Sequence, residues 1–344
     1  MYWIGVDHHK HNSYVTSLED DGTVYVRRNL SAQAATLQAF FAQHPRPFTV
    51  GIEATYAWEY VADIVEDLDA TIQVAHPLLL KAFARRHKKN DKIDSMLIAQ
   101  LLWQGHLPVI AHPPKAARQK RDLYRQRMEL VSRRTGAACR AKAWGDRLGF
   151  QTSMNLSTLK GIAELASLPV QAEHHDVLAS HVSMLRFLWD EIGRLQRVID
   201  HVAQVTPDTQ RLMTIPGIGA YLALLIASEV FDITRFPNAR HFASYAGVTP
   251  GVALSGGKSY GGHRHPACNK YLRWALTETV YHYIVANPWA ALKYERLRSA
   301  KGWKTARVAI ARHVAGAVYA VLREDRPYRI ARSGPDERGR RKGL

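Results

Sequence analysis

Cysteine is scarce in this 344-residue chain: there are two, Cys139 and Cys268, far apart and without metal-ligand spacing. A disulfide scaffold is excluded, and both residues read as free thiols in a reducing cytoplasm. Long hydrophobic runs are missing as well. No stretch approaches the ~18 uncharged residues of a membrane helix, and the opening MYWIGVDHHKH has no apolar signal core. Acidic residues are in deficit, with 30 Asp plus Glu against 47 Lys plus Arg, a formal net charge of +17. Hydrophobic residues at 47% nevertheless exclude a disordered polyelectrolyte. The length suits about two domains, each able to bury its own core. What remains is a basic cytoplasmic protein whose expected large partner is nucleic acid, with no membrane association.

The positive charge is concentrated. Between Lys115 and Arg147 eleven Lys or Arg face three acids, Asp122, Glu129 and Asp146. Arg118, Arg121 and Arg125 step by three and four, which places them on one helical face and makes them candidate nucleic-acid contacts. Leu123, Leu130, Ala137, Ala141, Trp144 and Leu148 supply an opposing apolar stripe. A second cluster, Lys81, Arg85, Arg86, Lys88, Lys89 and Lys92, runs into Asp91 and Asp94. Lys88 and Lys89 join the candidate contacts. The plainer alternative for either cluster is a solvated helix face, but single-sign faces repel themselves and phosphate binding relieves that repulsion.

Residues 1–76 alternate as a β-rich α/β segment. Strands are predicted at Tyr2–Val6, Ser13–Leu18, Thr23–Val26, Phe48–Ile52 and Thr71–Ala75, with helices from a Ser31 cap to Gln43 and over Trp58–Leu68. Three strands, then helix, strand, helix, strand is the order of an RNase H-like core, shared with other α/β beginnings. Helices follow at about Leu78–Arg86 and Asp91–Trp103. From 151 the chain turns helical. Leu185, Leu188, Ile192, Leu195, Ile199 and Val202 form a heptad seam, read equally as a self-association coiled coil or as a long helix packed on its own domain. Thr206-Pro207-Asp208 opens a further region. There Ile215-Pro216-Gly217-Ile218-Gly219 precedes an apolar helix, Ala220–Val230. Gly217 and Gly219 could expose backbone N–H groups to a phosphate, as in helix-hairpin-helix elements; the plainer alternative is a tight turn.

Four carboxylates stand at informative places. Asp7 ends the first strand, Glu53 ends a later one, and Asp91 and Asp94 stand three apart at a helix start. Each alone reads as a cap or a surface acid. Together, such groups cannot share a small volume without cations, and Mg²⁺ suits hard oxygen ligands. Two metals roughly 3.5–4 Å apart clamp attacking and leaving oxygens in phosphoryl transfer.

These segments make the chain recognisable. Gly5-Val6-Asp7 with Lys10, Gly51-Ile52-Glu53-Ala54-Thr55 and Asn90-Asp91-Lys92-Ile93-Asp94 resemble the D-E-D-D tetrad of insertion-sequence transposases of family one-ten, relatives of the Piv DNA invertase. The second half resembles the same family in Ile215-Pro216-Gly217-Ile218-Gly219, Arg235-Phe236, Tyr245-Ala246-Gly247-Val248-Thr249-Pro250, Leu254-Ser255-Gly256-Gly257, Asn269, Leu272, Arg273 and Ala309-Ile310-Ala311-Arg312. His8, His9 and Leu254 depart from the usual pattern, and His8 could tune the metal site or simply face solvent.

The resemblance implies a RuvC-like (RNase H-like) α/β domain with its basic helix over 1–150, a helical coiled-coil region over 151–207, a mostly helical C-terminal transposase domain over 208–325 and a basic tail over 326–344. It implies a Mg²⁺-dependent recombinase working with a structured non-coding bridge RNA that pairs with donor and target DNA, and a homo-oligomer, a dimer or tetramer, joined through the coiled coil. Ser255 is the implied nucleophile of a covalent 5′-phosphoserine link, acting with metals held by Asp7, Glu53, Asp91 and Asp94. Lys258 and Arg273 are further candidate nucleic-acid contacts. A serine hydroxyl needs a base or metal to attack. In a Gly-rich segment Ser255 could instead be a turn residue, and Ser259 is the competing hydroxyl. Two other functions stand beside recombination: a RuvC-like nuclease or junction resolvase using metal-activated water, which needs the tetrad but no serine, and a non-catalytic nucleic-acid scaffold.

Overall fold

The computed structural model describes residues 1–83, 91–249, 251–255, 258–263 and 268–329, with backbone alone for 91–92, 251–255 and 258–263. Lys88, Lys89 and most of the basic tail lie outside the described residues. The chain divides into two compact units, Met1–Lys115 and Ala116–Leu344.

The first unit is a mixed six-stranded sheet with helices on both faces. Its elements are β1 (Tyr2–His8), β2 (Asn12–Leu18), β3 (Val24–Ser31), α1 (Ala34–Gln43), β4 (Phe48–Glu53), α2 (Trp58–Glu66), β5 (Thr71–Ala75), α3 (Pro77–Phe83), α4 (Asp91–Trp103) and β6 (Val109–Ile110). The strand order is β3-β2-β1-β4-β5-β6. β1–β2–β3 form an antiparallel meander, β1, β4 and β5 run parallel, and β6 is antiparallel to β5. Alternation sorts the side chains. Ile4 and Val6 of β1 with Val50 and Ile52 of β4 pack under Leu37 and Phe41 of α1 and Val61 and Val65 of α2. The other face receives α4 through Ile98, Leu101 and Leu102.

Most boundaries shift by one or two residues from the sequence expectation, and those of β3 and α1 differ more. β3 runs on to Ser31, because Arg27, Arg28 and Asn29, which carry little strand signal, are recruited by pairing with Thr16, Val15 and Tyr14 of β2. Ser31 therefore ends an edge strand and does not cap α1, whose N-cap Gln33 makes no side-chain bond.

The second unit is helical apart from one hairpin. It comprises α5 (Lys115–Arg147, whose first residue belongs to the first unit), α6 (Leu159–Ala166), α7 (His175–Val202), α8 (Pro207–Met213), α9 (Ala220–Val230), α10 (Ala239–Tyr245), β7 (Gly251–Ser255), β8 (Lys258–His263), α11 (Lys270–Ala286), α12 (Pro288–Lys301) and α13 (Trp303–Arg323). Thr206 closes a capping box with Thr209, and Pro207 occupies the first turn of α8, which accounts for the break after α7. The division into compact units falls after Lys115. Leu130, Ala137, Ala141 and Trp144 of α5 share a core with α6 and α7, and Tyr124 enters the core built around α13, so the basic helix belongs with the helices C-terminal to it.

The α7 seam is spent inside the chain. Leu185, Leu188, Ile192 and Leu195 pack with the apolar stripe of α5, and Ile199 joins the α13 core. Of the two readings of this heptad, the helix packed on its own domain is the one the fold adopts. Among the described residues no helix is long and apolar enough to cross a membrane.

Candidate active site

Asp7 and Glu53 are brought together by strand register. Val6 pairs with Ile52 across the parallel β1–β4 ladder, and the next step puts Asp7 beside Glu53 at the same end of two neighbouring strands. Both lie in phase with the paired glycines Gly5 and Gly51, two residues earlier. On that face α4 presses close: a Cβ on Gly5 would lie 2.2 Å from the Ser95 carbonyl oxygen and 2.4 Å from the Ala99 nitrogen, and one on Gly51 would lie 3.0 Å from Ile98 Cγ2. Thr16 and Ser95 join their hydroxyls at 3.0 Å and fix the helix along the sheet. Asp94 directly precedes Ser95, and Asp91 stands seven residues, two turns, before Ile98. The first turn of α4 thus reaches the strand ends that carry Asp7 and Glu53.

Asp7 is buried, 8% exposed, with His9 Nε2 at 3.2 Å from Oδ2. His8 points the other way, into the α1–α2 face. It is 6% exposed, bonded through Nδ1 to the Ser13 hydroxyl at 2.7 Å and stacked on Tyr56 at 6.4 Å. Burial and the neighbouring His9 lower its pKa. His8 therefore neither faces solvent nor meets the carboxylates; His9, which sequence reasoning passed over, is the histidine at Asp7. Among the described side chains no group of three or more His, Cys, Asp or Glu is gathered tightly enough to hold a metal ion. The glycine-floored approach of α4 and the hard oxygen donors of Asp7, Glu53 and Asp94 nonetheless suit a divalent cation, and the side chain of Asp91 lies outside the described residues.

Ser255 sits on a hairpin, where its glycine-rich sequence suggests a loop. β7 and β8 are antiparallel, and the last pair of their ladder is Ser255 with Lys258. The serine backbone therefore stands at the end of the ladder, and Gly256 and Gly257 follow it in sequence. The roots of the hairpin are closely fastened. Asn269 N–H donates to the Tyr245 carbonyl at 2.8 Å, and Val248 N–H to the Ala243 carbonyl at 3.0 Å. Gly247, at φ +69°, lies so close to Cys268 that a Cβ would fall 2.6 Å from its sulfur.

Two family models match the chain: a DEDD transposase model of the IS110 type over residues 4–144, and the "Transposase IS116/IS110/IS902 family" over residues 209–295. The chain belongs to the IS110/IS116/IS902 transposase family. It is similar to the transposase for insertion sequence element IS1328 of Yersinia enterocolitica, 26% identical over 74% of this chain and 76% of that protein. It is likewise similar to a probable family 20 transposase of Pseudomonas aeruginosa, 26% identical over 79% of this chain and 77% of that protein. The pilin gene-inverting protein of Moraxella lacunata is 26% identical over 80% of each chain.

In this transposase several expected nucleic-acid contacts are engaged within the protein. Arg118 is 3% exposed, and Arg125 forms a two-pronged ion pair with Glu229, Nε to Oε1 at 2.6 Å and Nη2 to Oε2 at 2.9 Å. Arg121 is half-buried on the same helix. The three-and-four spacing that suggested a solvent face is equally the spacing of an inward one. Arg273 Nη1 donates to the Gly247 carbonyl at 2.5 Å, bracing the hairpin root. Gly217, at φ +89°, lets the chain pass α11, where a Cβ would lie 2.7 Å from the Thr279 carbonyl oxygen. Gly219, the N-cap of α9, is exposed with open space around it. Lys258 is placed at the hairpin tip by register alone. Glu229 was missed altogether. Its signal was there to read: a lone carboxylate at the C-terminal end of the apolar helix α9, where the helix dipole disfavours negative charge.

Proposed function

We propose that this transposase is a bridge-RNA-guided, Mg²⁺-dependent DNA recombinase that cleaves and exchanges strands through a phosphoserine at Ser255. The observation that carries the reading is the register of Asp7 beside Glu53 under the first turn of α4, in a sheet whose strand order suits a RuvC-like domain. Asp7, Glu53, Asp91 and Asp94 would hold the metal. Bound Mg²⁺ neutralises charge on a phosphate and favours attack on it.

The position of Ser255 in the hairpin supports the serine chemistry. At the tip of a ladder, beside glycines, a small hydroxyl side chain can approach a DNA backbone that bulkier neighbours would exclude. The Ser255 oxygen attacks phosphorus, losing its proton. A P–Oγ bond forms, the bond to the 3′ oxygen breaks, and the leaving oxygen takes up a proton. Attack by another strand's 3′ hydroxyl then completes the exchange: the P–Oγ bond breaks, the serine oxygen takes up the proton, and a new phosphodiester forms without ATP. RNA guidance rests on the family resemblance, with pairing supplying sequence choice while the basic protein grips backbone. Exchange between donor and target DNA calls for a dimer or tetramer, joined by surfaces other than the buried α7 seam.

The test is direct. Incubating the protein with its RNA, both DNAs and Mg²⁺, then denaturing, is expected to leave DNA covalently attached to the native chain and none to Ser255→Ala. Asp94→Asn is expected to abolish the adduct while RNA binding persists. Cleavage that survives in Ser255→Ala but not in Asp94→Asn identifies a water-using nuclease instead.

A further inference from the structure

Glu229 is the buried carboxylate of the helical unit among the described residues, with its side chain 1% exposed. A charge taken out of water needs full partnering. Arg125 of α5 supplies two bonds, its guanidinium lying 4.5 Å over the Tyr271 ring. Asn269 supplies the third, Nδ2 to Oε2 at 2.8 Å. Asn269 follows the last hairpin residue, His263, by six positions, and the rest of its amide is engaged as well. Its Oδ1 accepts the N–H groups of Tyr271 and Leu272 at 3.0 Å, capping α11, and its Nδ2 also reaches the Tyr245 hydroxyl at 3.2 Å. Tyr245 stands where the chain leads into the hairpin. Lys270 adds a second tie to α5, donating to Glu129 at 2.8 Å.

We propose that Glu229 is a positioning residue for Ser255: gripped by Arg125, it holds Asn269 and, through it, Tyr245, the residues that flank the β7–β8 hairpin in the chain. The inference rests on the serine reading above. The hairpin acts as a lever. From Gly251 to Ser255 the strand extends roughly 13 Å at ~3.3 Å per residue, so a small tilt at the root becomes a larger displacement at the tip. Misplacement of a reacting group by about 1 Å can cost about 100-fold in rate. A buried ion pair by itself stabilises a fold no more, and often less, than apolar packing of the same volume. Its place at the hairpin root is therefore better explained by geometry than by stability.

The test exchanges amide and carboxylate. Asn269→Asp keeps an N-cap oxygen for α11 but sets a second carboxylate against Glu229. Adding Glu229→Gln restores one amide facing one carboxylate, with polarity reversed. Asn269→Asp is expected to slow Ser255–DNA adduct formation at saturating nucleic acid by about 10-fold or more, with affinity little changed; the facing carboxylates also lower the melting temperature, so rates are compared well below it. The pair Asn269→Asp/Glu229→Gln is expected to regain most of the rate. An unchanged rate in Asn269→Asp, or a fall matched by lost affinity or folding and not regained by the pair, overturns the proposal. If the native protein forms no Ser255-dependent adduct, the serine reading fails by itself. Amide exchange at Gly251–Ser255 and Lys258–His263 then decides: faster exchange in Asn269→Asp, reversed in the pair, sustains the positioning role, and unchanged exchange refutes it.

Discussion

A β-carbon on Gly5 has nowhere to go, because the Ser95 carbonyl oxygen and the Ala99 nitrogen of α4 stand 2.2 and 2.4 Å from where it would be. Both obstacles are backbone, so relief requires the helix to lift from the sheet. Overpacking of this kind typically costs about 1–3 kcal/mol, and here the cost falls on the contact that brings Asp94 to the strand ends of Asp7 and Glu53. Gly5→Ala is accordingly expected to lower the denaturant midpoint of the first unit and to abolish DNA cleavage, while leaving the fold of the helical unit largely intact. Cleavage at the native rate would show that the seating of α4 on Gly5 is not what assembles the carboxylates. The residue scale is also where sequence was easiest to read and to misread. Asp7 and Glu53 were legible because strand ends can be found from apolar alternation. The difference between His8 and His9 was not, because which neighbour turns inward depends on where β1 stops and on Tyr56 and Ser13 closing over the ring.

At the scale of elements, periodicity identifies a buried face but not its partner. The α7 heptads fit a self-association seam and an internal one equally well, and the choice was made by the apolar stripe on α5. The same ambiguity placed Arg118 and Arg125 on a solvent face, when burial and Glu229 claim them. The serine hairpin was hidden for a different reason: β7 (Gly-Val-Ala-Leu-Ser) is short and β8 (Lys-Ser-Tyr-Gly-Gly-His) carries two glycines, so neither shows a strand's alternation, and what makes them a ladder is backbone pairing. The internal seam carries a measurable consequence. Leu185 is fully buried, and Leu185→Ala should remove about 2–5 kcal/mol of stability through the transfer and cavity terms. Because its partners lie in the same chain, the loss of melting temperature is expected to be independent of protein concentration, with mass by light scattering unchanged. A loss of melting temperature that varies with protein concentration, or a drop in mass, would place this seam between subunits.

For the whole molecule the governing quantity is the +17 net charge, and the structure redistributes where it can act. With Arg118 and Arg125 turned inward, the exposed cations of α5 include Arg133, Arg140 and Arg147, which recur every seven residues and so keep one line along the helix. That line spans roughly 21 Å at ~1.5 Å per residue, enough to follow a run of phosphates. Each phosphate neutralised releases condensed counterions, so the logarithm of affinity should fall linearly with the logarithm of salt, at about 0.9 per contact on duplex DNA. Replacing Arg133, Arg140 and Arg147 together by Gln is expected to make that slope shallower by about 2–3. The preference for matched over mismatched targets should stay as it was, since backbone contacts position without reading sequence. Titrations across a salt series measure both quantities at once. An unchanged slope would mean that the charge gripping nucleic acid lies off this helix, and a changed preference would mean that these arginines read bases as well as backbone.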